Sequence, residues 1–188
     1  MTASRQQPLR NAIHAATGLA AWWVLAVPEP WRMRGLVAML TANLALDVVR
    51  WRGGRGRLDR ALPGVYRDPE PLGVSCATLL AVGYLLATSL FPPPAAAAGI
   101  LALALGDPAA AVVGRWYGAR RALAGKTWPG SLACFLASFV AILLIPGLGL
   151  MPALAGAAMA ALVERRAGPL DNVLVPVAVA MLAGLWVG

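Results

Sequence analysis

The sequence predicts an all-α fold, a polytopic bundle of transmembrane helices, from three observations. Of 188 residues, 60% are hydrophobic and only 13% are charged. The mean hydropathy is +0.70. The charges collect in short runs between long apolar stretches. A disordered chain, a coiled coil and a soluble enzyme with a polar surface are excluded by this pattern. The apolar stretches run through the whole chain, so residues 1–188 are expected to form a single integral membrane domain.

Seven spans are expected, with six as the alternative count. Ile13–Val27 follows Arg5 and Arg10 like a signal peptide, but it holds His14 and two tryptophans and no small-x-small cleavage site follows it, so it reads as a span. Gly35–Val49 is the second. Leu72–Phe91 and Pro94–Gly114 are joined by Pro92-Pro93-Pro94, a tight uncharged turn. Ser131–Ile145 and Pro152–Val163 are joined by a second proline-bounded turn, Pro146 to Pro152. Pro152–Val163 falls well short of the roughly 20 residues of a perpendicular helix, so it is expected either as a partial element or extended through Leu148–Met151. Asn172–Val187 closes the bundle.

Charge sets the orientation. Alternate connections carry Arg5 and Arg10, then Arg50, Arg52, Arg55, Arg57, Arg60 and Arg67, then Arg115, Arg120, Arg121 and Lys126, then Arg165 and Arg166, with only Arg32 and Arg34 opposite. The positive-inside rule puts the N-terminus in the cytoplasm and the protein in the cell's inner (plasma) membrane. The formal net charge of +8 is therefore membrane decoration, and no nucleic-acid partner is expected. Cys76 and Cys134 lie far apart in apolar segments and read as packing residues.

Acidic groups in or near a bilayer each need a partner or a task. Asp47, Asp107, Glu164 and Asp171 all map to the cytoplasmic half. Asp107 lies about two helical turns from the nearest basic run, which points to a metal or phosphate site. Asn43 and Asp47 share a helix face at i, i+4, and Asp47 can also pair with Arg50 at i+3. His14 is the one histidine, which rules out a histidine-rich metal centre. Gly106, Ala110, Gly114 and Gly118 form a small-residue ridge suited to close helix packing or a homodimer contact. Pro108 is expected to kink that span. Lys126, the sole lysine, stands before a helix start at Gly125-Lys126-Thr127-Trp128-Pro129-Gly130-Ser131. Free N–H groups at that start, the ammonium and the nearby hydroxyls make an expected phosphate cradle; Walker A spacing is absent.

The stretch from Gly106-Asp107-Pro108-Ala109 to Gly114-Arg115-Trp116-Tyr117-Gly118, with Gly125 to Ser131, resembles the signature of the dolichol kinase and phytol kinase family, which includes the yeast-type CTP-dependent diacylglycerol kinases. That signature reads G-D-x-x-A-x-x-x-G-x-x-x-G, then K-[ST]-x-E-G-[ST]. Arg10 to His14 resembles the family's R-K-x-x-H, and Asp171 to Pro176 its D-N-[LV]-x-[VI]-P. The resemblance implies transfer of the γ-phosphoryl group of CTP, with Mg²⁺, to a membrane lipid alcohol, either a polyprenol, a phytol-like alcohol or diacylglycerol, at the cytoplasmic face. It implies Asp107 and Asp171 as metal ligands, Asp107, Lys126 and Asp171 as catalytic residues, and Arg115, Arg121, Lys126, Thr127, Ser131 and Asn172 around the nucleoside triphosphate. His14, Asn43, Asp47 and Glu164 are supporting candidates. Where the family has glutamate, this chain has Pro129, and Glu164 is the residue on the same side available to take over.

The same core resembles the phosphatidate cytidylyltransferases, whose K-T-W-E-G-S is close to Lys126-Thr127-Trp128, but their ending H-G-G-x-x-D-R-x-D is absent. That enzyme would attack the α-phosphorus instead. A non-catalytic membrane protein or small transporter is the reading from another class; the gathering of polar groups on one side argues against a continuous pathway.

Overall fold

The structure, a computed structural model, describes residues 3–54, 56, 58, 60, 72–117 and 126–187. Arg121 and Gly118 lie outside the described residues, as do Arg55, Arg57, Arg67 and Arg120. Among the described residues the fold is all-helical with no strands. The elements are α1 (Ala3–Ala16), α2 (Leu19–Ala26), α3 (Trp31–Val49), α4 (Cys76–Leu90), α5 (Pro93–Tyr117), α6 (Trp128–Leu143), α7 (Leu150–Arg166) and α8 (Asp171–Ala183). A π-type turn at Arg50–Gly54 leaves α3, and Gly53 at φ +86° takes the left-handed conformation that ends it. A 3₁₀ turn, Gly168–Leu170, leads into α8, and another, Gly184–Trp186, follows it.

The helices differ from the expected spans in instructive ways. The first stretch is two helices, because the chain tightens at Thr17-Gly18 into three-residue hydrogen-bonded turns and the Thr17 hydroxyl donates to the His14 carbonyl. The short sixth stretch lengthens at both ends to the 17 residues of α7. Helix α5 continues through Pro108 as one helix of 25 residues. Among the described residues two helices are long and apolar enough to cross a membrane, Pro93–Tyr117 and Gly168–Trp186; Cys76–Leu90 and Trp128–Leu143 are apolar but shorter.

Helix α5 is the central post, with α1, α2, α4, α6, α7 and α8 packed on it. Its buried face is built of small residues, Ala95 to Gly99, Ala102 and Ala104 among them. Larger apolar side chains point away from the core: Leu132, Leu136 and Val140 of α6 make an exposed stripe at i, i+4 spacing, as do Leu150 and Leu154 of α7.

Small residues let helices approach closely, and glycine does so most. A Cβ on Gly106 of α5 would sit 2.6 Å from Ser138 Oγ and 3.0 Å from Cys134 Sγ of α6, while one on Gly130 of α6 would sit 3.0 Å from the Ala110 carbonyl. The ridge of Gly106, Ala110 and Gly114 is therefore spent inside the chain, against α6. Helix α8 is seated the same way. A Cβ on Gly99 would collide with the Pro176 carbonyl, and one on Gly83 of α4 with the Asn172 carbonyl. Pro176 has no N–H to give that carbonyl, so the first turn of α8 lies against α4 on an uncommitted backbone oxygen.

Gly99→Ala is expected to destabilise by roughly 1–3 kcal/mol through overpacking. Gly149→Ala, where nothing lies within 4 Å, should leave the Tm unchanged. Thermal unfolding in detergent, followed by tryptophan fluorescence, compares the two; equal Tm values would contradict the close α5–α8 contact.

Candidate functional site

The antiparallel order of the helices brings one end of each to the same end of the bundle. There α5 contributes Asp107, Lys126 lies two residues before α6, Glu164 is in the last turn of α7 and α8 starts with Asp171 and Asn172. Lys126 Nζ donates to Glu164 Oε1 and lies 3.4 Å from Asp171 Oδ2. Glu164 is 3% exposed, so its charge is held away from water and the ammonium is its counter-ion. Burial works against the charge on Lys126, but the hydrogen bond and charge of Glu164, joined by the charges of Asp171 and Asp107, outweigh it and lift the ammonium's pKa above the ordinary lysine range. Lys126 is therefore a fixed positive charge at neutral pH.

Beside this cluster is a cavity of about 240 Å³. Arg10, His14, Asn43, Asp107, Asp171 and Asn172 are among the residues that line it. His14 Nδ1 lies 3.7 Å from Asp107 Oδ2. Asn43 Nδ2 donates to the Met39 carbonyl. Asn172 is 5% exposed, and its Oδ1 has no hydrogen-bond partner among the described residues; the same holds for His14 Nε2 and Glu164 Oε2. Buried polar atoms without partners are uncommon in folded proteins and need a reason. Here three of them surround one cavity and the cluster next to it.

One sequence expectation needs correction. Free N–H groups at the start of α6 were expected to cradle a phosphate, but Pro129 has none, the Gly130 N–H goes to Thr127 Oγ1 and the Ser131 N–H goes to the Thr127 carbonyl. Thr127 is an N-cap and Ser131, whose hydroxyl also returns to the Thr127 carbonyl, is a buried member of the same turn. Lys126 is the charged donor that remains at this place. Asp47 takes the pairing with Arg50 that its i+3 spacing offers, and it is fully buried and does not line the cavity. Its Oδ2 accepts from the Ser75 N–H at 3.0 Å, the Ser75 hydroxyl at 3.2 Å and the Thr78 hydroxyl at 2.7 Å, while Oδ1 lies 3.2 Å from Arg50 Nη2. Asp47 thus bolts the end of α3 to the start of α4, where Ser75 caps the helix by accepting from the Thr78 N–H.

Arg115 sits at the exposed end of α5. Past the cluster, the Arg165 guanidinium lies 3.6 Å over the Trp128 ring. Thr17 and Cys76 also line the cavity, and nothing in their spacing marks them in advance. Among the described residues no three His, Cys, Asp or Glu side chains stand close enough to hold a metal by themselves. Mg²⁺ does not demand such a cage, since it is commonly held by one or two carboxylates together with substrate phosphates and water. Asp107 and Asp171, facing one cavity with the unpartnered Asn172 Oδ1, fit that requirement.

A scan against protein-family models, a search of curated proteins and a search of solved structures each return no match to this chain.

Asp47→Ala would strand Arg50 in a buried place and is expected to cost about 3 kcal/mol or more. Asp107→Asn removes a charge that is partly exposed and should change stability much less. Chemical or thermal unfolding of the two variants in parallel checks the split between a structural and a site carboxylate; similar losses would contradict it.

Proposed function

We propose that this chain is a multi-pass membrane phosphotransferase that moves the γ-phosphoryl group of CTP onto the hydroxyl of a lipid alcohol at the cytoplasmic face. The observation that carries the reading is the fixed cation Lys126 flanked by Glu164 and Asp171, in the field of Asp107, beside a cavity that Asp107 and Asp171 line. Phosphoryl transfer asks little covalent chemistry of a protein; it asks for positioning and charge neutralisation.

The membrane placement is supported by a core rich in alanine and by the many leucines left exposed on the flanks of the bundle. The tryptophans support it too. Trp22, Trp23, Trp31 and Trp186 are exposed toward one end of the helices, and Trp51, Trp116 and Trp128 toward the other, the pattern of two interfacial belts. Seven spans with a cytoplasmic N-terminus put the cluster at the inner face, within reach of a soluble nucleotide.

The roles follow from charge and place. Lys126 draws the triphosphate and balances charge that builds on it as the bond to the leaving phosphate lengthens. Glu164 holds Lys126 in position, the duty left open by Pro129. Asp107 and Asp171 hold Mg²⁺, which supplies neutralisation of the phosphate oxygens when bound. Asn172 and His14 offer polar atoms to the acceptor hydroxyl. In the reaction the alcohol oxygen forms a bond to the γ-phosphorus, the bond from that phosphorus to the β–γ bridging oxygen breaks, CDP leaves and the hydroxyl proton is released. The choice of CTP comes from the resemblance of the Gly106–Ser131 stretch to the lipid-alcohol kinases.

Protein in detergent with Mg²⁺, a panel of lipid alcohols and phosphatidate, and CTP labelled at the α or the γ phosphorus tests the reading. Lipid carrying the γ label alone is expected, with Asp107→Asn and Lys126→Ala each lowering the rate by about 10²–10³-fold. Lipid carrying the α label would replace the kinase reading with a cytidylyltransferase. No labelled lipid with CTP, UTP or ATP would contradict both.

A further inference from the structure

One wall of the cavity hangs from the end of α3. Leu72, Val74 and Cys76 line the cavity, and the residues between them, Gly73 and Ser75, turn to α3 instead. The Gly73 carbonyl accepts two hydrogen bonds, from Arg50 Nη2 at 2.7 Å and from the Trp51 indole N–H at 2.8 Å. Two residues on, the Ser75 N–H and hydroxyl both donate to Asp47 Oδ2. The two attachments differ in kind. The bonds at Gly73 are exposed and those at Asp47 are buried, so water competes with the first pair and does not reach the second.

An exposed hydrogen bond contributes little net stability and opens locally, while a buried, hydrogen-bonded charge opens only with the fold around it. Gly73 stands at φ +73°, and a Cβ on it would meet nothing within 4 Å. Its backbone angles can therefore change without driving a neighbour aside. Leu72, next to it, lines the cavity and is 47% exposed, which puts it on the rim. We infer that Arg50 and Trp51 form a latch on the Gly73 carbonyl, that residues 72–74 are the flap this latch holds against the cavity, and that a ligand enters past Leu72 when the latch opens. Asp47 and Ser75 are the fixed side of the hinge. Trp51 is 56% exposed, so the latch is released from outside without disturbing the buried Asp47. The route serves whatever the cavity holds and stands apart from the phosphotransferase reading.

Cys76 reports the opening. The chain has two cysteines; Cys76 lines the cavity, and Cys134, 1% exposed in the core, is the internal reference for unfolding. With the full chain in nanodiscs, the alkylation rate of Cys76 is measured with a small maleimide and with one carrying a bulky polar group. The ratio of the two rates cancels changes in thiol reactivity. Trp51→Phe removes one donor from an exposed position, and Arg50→Lys puts a single ammonium in place of the fork that serves Asp47 and Gly73 together. Each is expected to raise the bulky-to-small ratio about threefold to tenfold, the population change that one net hydrogen bond supports. Trp116→Phe, at an exposed tryptophan on the same end of the bundle but off the latch, should leave the ratio unchanged. Hydrogen exchange is the second readout: in Trp51→Phe the amides of residues 72–74 should exchange faster while the Ser75 amide stays protected by Asp47. An unchanged ratio in both latch variants, an equal rise in Trp116→Phe, or a Ser75 amide that exchanges as fast as Leu72 overturns the inference. Reaction of Cys134 alongside Cys76 means that the fold opens as a whole, and overturns it too.

Discussion

Helix α5 can carry α6 on one side and α8 on another only because Gly106, Gly114 and Gly99 leave no Cβ between the backbones. The position of every group in the site follows from that. Asp107 is one residue from Gly106, so the close α5–α6 contact fixes it near the start of α6 and hence near Lys126. Asp171 and Asn172 open α8, whose seat is set by Gly99 and Gly83 meeting Pro176 and the Asn172 carbonyl. A bundle with larger residues at these four places would hold its helices about a methyl group further apart, and the cluster would not form. In a bilayer, where burying apolar surface between helices brings little gain over lipid, this kind of close packing is what is left to hold helices together. The same glycines therefore serve cohesion and site geometry.

Electrostatics sets the second condition. Glu164, Asp171 and Asp107 surround one ammonium, which leaves the cluster with more negative than positive charge before any ligand arrives. Removing a buried charge from water is costly, and a pair offsets that cost only when its geometry is good. Glu164 spends one oxygen on Lys126 and keeps the other without a partner. A surplus of carboxylate oxygens is suited to a divalent cation that one or two of them can hold. Asp47 shows the contrast. Its Oδ2 accepts three hydrogen bonds and its Oδ1, without a hydrogen-bond partner among the described residues, faces the Arg50 guanidinium at 3.2 Å, so the wholly buried charge is paired one to one and ties α3 to α4.

Much of this was legible in the sequence. Apolar runs separated by basic connections give the helical bundle, and alternating topology alone puts Asp107, Lys126, Glu164 and Asp171 at one end. The small-residue ridge correctly marked the surface where α5 meets a neighbour. Contacts between residues far apart in the chain were not legible. Glu164 meets Lys126 across 38 residues and Thr78 meets Asp47 across 31, and neither has a local pattern. The break at Thr17-Gly18 is hidden for a similar reason: the Thr17 hydroxyl bonds to the buried Tyr84 of α4 at 2.9 Å, a partner no local spacing indicates. The N-terminal cradle of α6 failed because propensity identifies a helix start but not who uses its N–H groups; Thr127 and Pro129 leave few to offer.

The central claim is that Lys126, held between Glu164 and Asp171, is where a nucleoside triphosphate docks. Equilibrium binding of CTP to the chain in nanodiscs, titrated with and without Mg²⁺, tests it without relying on turnover. Saturable, Mg²⁺-dependent binding is expected, weakened about tenfold or more in Lys126→Ala by loss of a charged hydrogen bond. Binding that is absent, or that Lys126→Ala leaves unchanged, would contradict the account.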